Sequence, residues 1–127
     1  MVWWSKVLWI GVAGAAGAMS RYGLMQAMAR IPRWGSWPVG TWVVNLLGSF
    51  VLGIVLGSLG REGVVSDEWR MVFAVGFLGS FTTFSTFMSD SVRLGESGSP
   101  MGLLLNIVPQ VILGVLLFTW GQSLGKV

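Results

Sequence analysis

Gly76-Phe77-Leu78-Gly79-Ser80-Phe81-Thr82-Thr83-Phe84-Ser85-Thr86-Phe87 is apolar enough for a membrane and too irregular for a regular helix. It lies in a charge-free run of 19 residues, 71–89, long enough to cross a bilayer if helical. Two glycines, adjacent threonines and two serines weaken the helical preference of its middle. The hydroxyls also offer the backbone other partners. Backbone facing lipid cannot be left unpaired, so irregular chain at membrane depth persists only inside protein or beside a polar cavity. The stretch therefore reads as a broken membrane helix, buried against something and carrying an ion or solute site.

Working outward, the whole chain fits a membrane setting. Of 127 residues, 54% are hydrophobic and 10% charged, against about 25% charged in a soluble domain. The length permits one domain, residues 1–127. Hydropathy divides it into four spans at about 7–28, 39–59, 71–89 and 101–124, so the expected fold is all-α with four transmembrane helices, the third broken. Short polar loops separate the spans. Ser66, followed by Asp67 and Glu68, is placed to cap the third span. Trp3, Trp4, Trp34, Trp37 and Trp69 lie near span ends, as in an aromatic belt.

Several function classes drop out. The net charge is +3, but the eight basic residues are scattered and form no nucleic-acid stripe. Without cysteine there is no thiol chemistry. Without histidine the commonest metal ligand and general base is missing. No nucleophile–base pair, intramembrane carboxylate pair or phosphate loop is present, so the chain is not expected to be an enzyme. The apolar run after Lys6 continues past the length of a signal peptide.

Orientation is balanced. With four spans, both termini share a side with the second loop, and that side holds Lys6, Arg61, Arg70 and Lys126. The other holds Arg30, Arg33 and Arg93. Four against three is almost no bias, whereas a singly oriented protein shows a clear cytoplasmic excess. The chain is therefore expected to insert both ways up and to pair as an antiparallel dimer, the two-chain form of an inverted repeat. Small residues mark close-packing faces: Ser49, Gly53 and Gly57 in the second span, and Gly11/Ala15 and Gly14/Ala18 in the first. Four helices cannot bury all this surface and also enclose a pore, which again favours an oligomer.

Polar residues in the spans carry two readings each. Arg21, the only charge deep in a span, either snorkels or caps carbonyls, or attracts anions at a pore mouth or anchors a helix break. Asn45 is either a helix–helix hydrogen bond or an amide offered to an anion. Asn106 and Gln110 are four apart on one face of the fourth span, lining a pore or an intersubunit network. Phe84 and Phe87 share a face, for packing or for presenting their positive ring edges to a small anion.

The quoted third-span stretch resembles the signature of the Fluc (CrcB-type) fluoride channels. Gly40-Thr41-(x)3-Asn45-Leu46 and Gly17-(x)3-Arg21-Tyr22 support that resemblance, which covers the whole chain. It implies a passive fluoride-selective channel that exports cytoplasmic fluoride across the plasma (inner) membrane and lowers its toxicity. It implies an antiparallel dual-topology homodimer with two pathways, each lined by both subunits. Phe84 and Phe87 would flank the ion, Asn45 would be the essential pore amide, and Ser85 and Thr86 would fall on the polar track. A structural sodium ion at the dimer axis would be held by backbone carbonyls of Gly79 and Thr82. Arg21 matches an arginine near the wide vestibule. The fourth span departs from the family: Asn106 stands for a tyrosine, and Gln110 and Gly114 for serines. The alternative is a small dual-topology multidrug exporter, which would need a carboxylate in the first span where this chain has Arg21.

Overall fold

The computed structural model describes residues 1–63, 65–98 and 100–127, less the Trp34 side chain. The place of Trp34 in the aromatic belt thus lies outside the described residues. All regular structure among them is helical: α1 (Trp3–Ala29), α2 (Val39–Gly57), α3 (Asp67–Val72), α4 (Gly79–Phe81), α5 (Phe84–Glu96) and α6 (Pro100–Gly125). A 3-10 turn, Pro32–Trp34, lies between α1 and α2, and a π-helical turn, Phe73–Leu78, joins α3 to α4. α3, the π turn and α4 make one rod, so the chain forms four rods with the third interrupted before α5.

Three rods are long and apolar enough to cross a membrane: Val39–Gly57, Asp67–Glu96 and Pro100–Gly125, with hydropathies of 2.0, 1.5 and 2.2. α1 is longer than α2 at 27 residues but is not among the three. Its middle is glycine and alanine, which add little hydropathy, and it carries Lys6 and Arg21. Its claim to be a span rests on length.

The third rod comes apart at the two threonines. Thr82 (φ −81°, ψ 160°) and Thr83 (φ −148°, ψ 114°) are both extended. The Thr82 amide still reaches the Leu78 carbonyl at 3.0 Å. α5 then restarts on a cap: Thr83 Oγ1 accepts from the Thr86 amide at 3.2 Å and donates to Thr86 Oγ1 at 2.9 Å. This satisfies one of the orphan donors of a helix start.

Glycines let backbones touch around the break. A Cβ on Gly17 of α1 would stand 2.2 Å from the Phe77 carbonyl oxygen, and one on Gly76 would stand 2.7 Å from that of Ile10, so α1 lies directly on the π turn. A Cβ on Gly48 of α2 would stand 2.2 Å from Thr82 Cγ2. Between α2 and α6 the fit is reciprocal. Cβ atoms on Gly53 and Gly57 would meet the Phe118 and Gln122 carbonyls at 2.2 and 2.3 Å. Those on Gly121 and Gly125 would meet Phe50 and Ile54 carbonyls at 2.2 Å each. The small-residue ridge of the second span is therefore used inside one chain. Gly53→Ala is expected to overpack this contact at a cost of about 1–3 kcal/mol, seen as a lower unfolding temperature in detergent. Gly11→Ala, whose Cβ would meet nothing within 4 Å, should not lower that temperature, since alanine is the better helix former.

Charges gather at both ends. At one, the N-terminal amine and Lys6 pair with Glu68 at 3.0 and 2.8 Å, and Arg61 caps α6 at the Gly125 and Val127 carbonyls. Arg70 bridges the Ser58 carbonyl and Asp67 Oδ1, each at 2.7 Å. Ser66 occupies the N-cap position of α3 but makes no side-chain cap bond. Asp67 Oδ2 instead accepts the Gly60 amide at 2.9 Å. At the other end Arg93 pairs with Asp90 at 3.1 Å.

Candidate ion site at the helix break

Opening a helix strands the peptide groups on either side, and buried peptide groups need partners. Asn45 of α2 supplies them. Its Oδ1 accepts the Thr83 amide at 2.8 Å, and its Nδ2 donates to the Thr83 carbonyl at 3.0 Å. One side chain thus does for Thr83 what a neighbouring strand would do. The second Nδ2 hydrogen goes to Gln110 Oε1 on α6, at 3.0 Å. Of the two readings for Asn45, the helix–helix bond is present, and it is aimed at the break.

Arg21 reaches the same place from α1. Its Nη1 donates to the Thr82 carbonyl at 3.3 Å, so this charge is held in the protein at the break. Gly79 is affected indirectly. In an unbroken helix its carbonyl would take the Thr83 amide, and that amide is given to Asn45.

Phe84 and Phe87 open α5. Their centroids are 6.2 Å apart at 69°, an edge-to-face contact. Phe87 is 6% exposed, whereas Phe84 is 74% exposed and projects from the chain. Asn45, Gly79, Thr82, Phe84 and Phe87 all line one groove of about 250 Å³. A second groove of about 360 Å³ shares Asn45, Ser49 and Phe87 with it and adds Gln110.

Three expected track residues lie elsewhere. Ser85 is exposed, and Thr86 is half-buried against its cap; neither lines these grooves. Asn106 is wholly buried. It accepts from Trp42 Nε1 at 2.7 Å and donates to Ser91 Oγ at 2.9 Å, and Ser91 donates to the Phe87 carbonyl at 2.7 Å. Asn106 therefore stands behind Phe87 and holds the start of α5 in place.

Thr83 and Gly48 are the site residues that sequence reading missed. Thr83 did carry a signal: a threonine three residues before a helical amide, here that of Thr86, is an N-cap pattern. Nothing in the sequence set Gly48 apart from its neighbouring glycines. Among the described residues no cluster of three or more His, Cys, Asp or Glu could hold a metal. Oxygens available at the break are backbone carbonyls, hydroxyls and amides.

Residues 8–122 match the family described as CrcB-like protein, Camphor Resistance (CrcB). The chain belongs to the CrcB-like family. Several relatives bear a more specific name. The chain is 38% identical over 121 residues to a fluoride-specific ion channel FluC of Nitratidesulfovibrio vulgaris, covering 95% of this chain and 97% of that one. It is 40% identical over 121 residues to fluoride-specific ion channel FluC 1 of Methanosarcina acetivorans, covering 95% and 88%. It is 39% identical over 106 residues to a FluC of Vibrio campbellii, covering 84% and 83%. The CrcB-like family is thus one of ion channels and not of enzymes, and with its three apolar rods this member is a multi-pass membrane protein.

Proposed function

We propose that this chain is a passive, fluoride-selective channel that lets cytoplasmic fluoride leave the cell across the plasma (inner) membrane and so lowers its toxicity. The observation that carries the reading is the meeting of Asn45, Phe84 and Phe87 in one groove at the helix break. Fluoride is small and gives up water reluctantly, so a pathway must replace that water with donors and positive ring edges. Ring edges, an amide and hydroxyls are what the two grooves offer. Neither groove is lined by Asp, Glu or His, which leaves no group there for proton coupling. α1 has no carboxylate either, against the multidrug-exporter alternative.

The working unit is an antiparallel homodimer with two pathways, each lined by both subunits. The exposed Phe84 ring and the half-open grooves call for a covering surface, and the balanced charges at the two ends permit a copy of either orientation. Gly79 and Thr82 fit a sodium ion at the axis of that dimer. The Gly79 carbonyl has lost its helical donor, and the Thr82 carbonyl, though it accepts from Arg21, has a second lone pair. When bound, sodium supplies positive charge to these hard oxygens and offsets the cost of leaving them without helical partners. Replacing sodium by N-methylglucamine is therefore expected to lower both the dimer's unfolding temperature and its flux; unchanged values in sodium-free buffer would remove the cation.

A fluoride electrode on protein-loaded vesicles, with chloride as control, tests the function. Fluoride efflux without chloride efflux is expected, and equal or absent fluxes would reject the reading. Labelling one engineered position from both faces of the membrane tests the inverted pairing.

A further inference from the structure

We infer that Trp42 is a positioning residue for the Phe87 ring, acting at a distance through Asn106 and Ser91. The inference rests on the fluoride-channel reading and concerns what holds the ring edge where that reading needs it. The chain of bonds runs one way. The indole Nε1–H of Trp42 can only donate, so Asn106 must turn Oδ1 toward it, at 2.7 Å. Nδ2 of Asn106 is then left facing Ser91 and can only donate, so Ser91 Oγ accepts it at 2.9 Å. The one hydrogen of that hydroxyl goes to the Phe87 carbonyl at 2.7 Å. Each step fixes the next, and the first is set by an indole on α2.

The last bond is the one that reaches the ring. A serine hydroxyl bonded to the carbonyl four residues back often bends a helix, so Ser91 sets the course of α5 where Phe87 leaves it. α5 has little else to hold it: of its 13 residues only Phe87 and Ser91 are buried. Phe84 rests edge-to-face on Phe87 at 6.2 Å, so both rings follow. Asn106 and Ser91 are shut off from water, which therefore does not compete for these bonds. The Trp42 ring is tilted against Trp37, centroids 6.3 Å apart, which braces the indole. Without its hydrogen nothing would choose the direction of the Asn106 amide. A flipped amide offers Oδ1 to Ser91, whose hydroxyl then turns to it and leaves the Phe87 carbonyl.

Two variants of the full chain test this. Trp42→Phe keeps a ring against Trp37 and removes the N–H; Ser91→Ala removes the hydroxyl. Each is expected to lower fluoride flux per folded protein about tenfold, the worth of one hydrogen bond. Both break the same chain, so the double variant should lose no more than either alone, whereas independent sites would multiply to about 100-fold. A packing role would lower the unfolding temperature and the yield of folded protein, and leave the flux of each folded copy as it was. Wild-type flux per folded protein in either variant, or a 100-fold loss in the double variant, overturns the inference. Should Trp42→Phe not fold, the flux of Ser91→Ala decides by itself. A further readout needs no flux. The indole N–H proton resonance of Trp42 in detergent, identified by its loss in Trp42→Phe, should shift in Ser91→Ala, and an unshifted resonance overturns the relay. A wild type with no flux would reject the channel reading instead, and the resonance would still decide the relay.

Discussion

Asn45→Ala is expected to abolish fluoride flux in vesicles and to lower the unfolding temperature together. The two losses share a cause. Alanine leaves the Thr83 amide and carbonyl without their partners and frees Gln110 from its orientation. Each buried peptide group left unsatisfied costs about 1–3 kcal/mol. The cheapest relief is for the third rod to re-form a helical turn across Thr82 and Thr83, which would close the site. Persistent conduction in a folded Asn45→Ala protein would reduce this residue to packing.

The second large effect belongs to the rings. Phe84→Ile and Phe87→Ile are each expected to stop fluoride flux while leaving protein that folds. Isoleucine keeps the apolar bulk and removes the ring edge, so a packing role predicts retained flux and an edge role predicts its loss. Their stabilities should differ. Phe87 is 6% exposed, and its replacement should cost about 1–3 kcal/mol, because a branched side chain does not fit the slot of a flat ring. Phe84 is 74% exposed in the single chain, so its replacement should act on flux, and on dimer formation if a second copy covers it. Normal flux in either isoleucine variant would remove the ring-edge role.

Much of the site was legible because its residues break rules. The glycines, serines and threonines of 76–87 are poor helix formers in an apolar run, and lipid forbids idle backbone there, so an opening had to be buried against protein or a polar cavity. Arg21 and Asn45 were conspicuous for the same reason, being too costly to carry in a span without a use. The fourth rod was read less well. Spacing put Asn106 and Gln110 on one face and could not separate them. Among the described residues Asn106 has two partners and one end of Gln110 has none. That difference depends on Trp42 and Ser91, which come from other rods and leave no periodic trace.

What this sequence determined alone is the list of parts: apolar rods, a third one whose glycine-, serine- and threonine-rich middle is a poor helix, and glycine ridges that invite backbone contact. These follow from local cost, since hydropathy, helix propensity and unpaired peptide groups are properties of short stretches. Only the tertiary structure decided which groups answer the opened threonines. Asn45 meets Thr83 from 38 residues away, Arg21 meets Thr82 from 61, and Gly48 clears the space between them. Such pairings depend on how α1, α2 and α6 lie against the opened rod, and that arrangement is set by the reciprocal glycine contacts of all four rods at once.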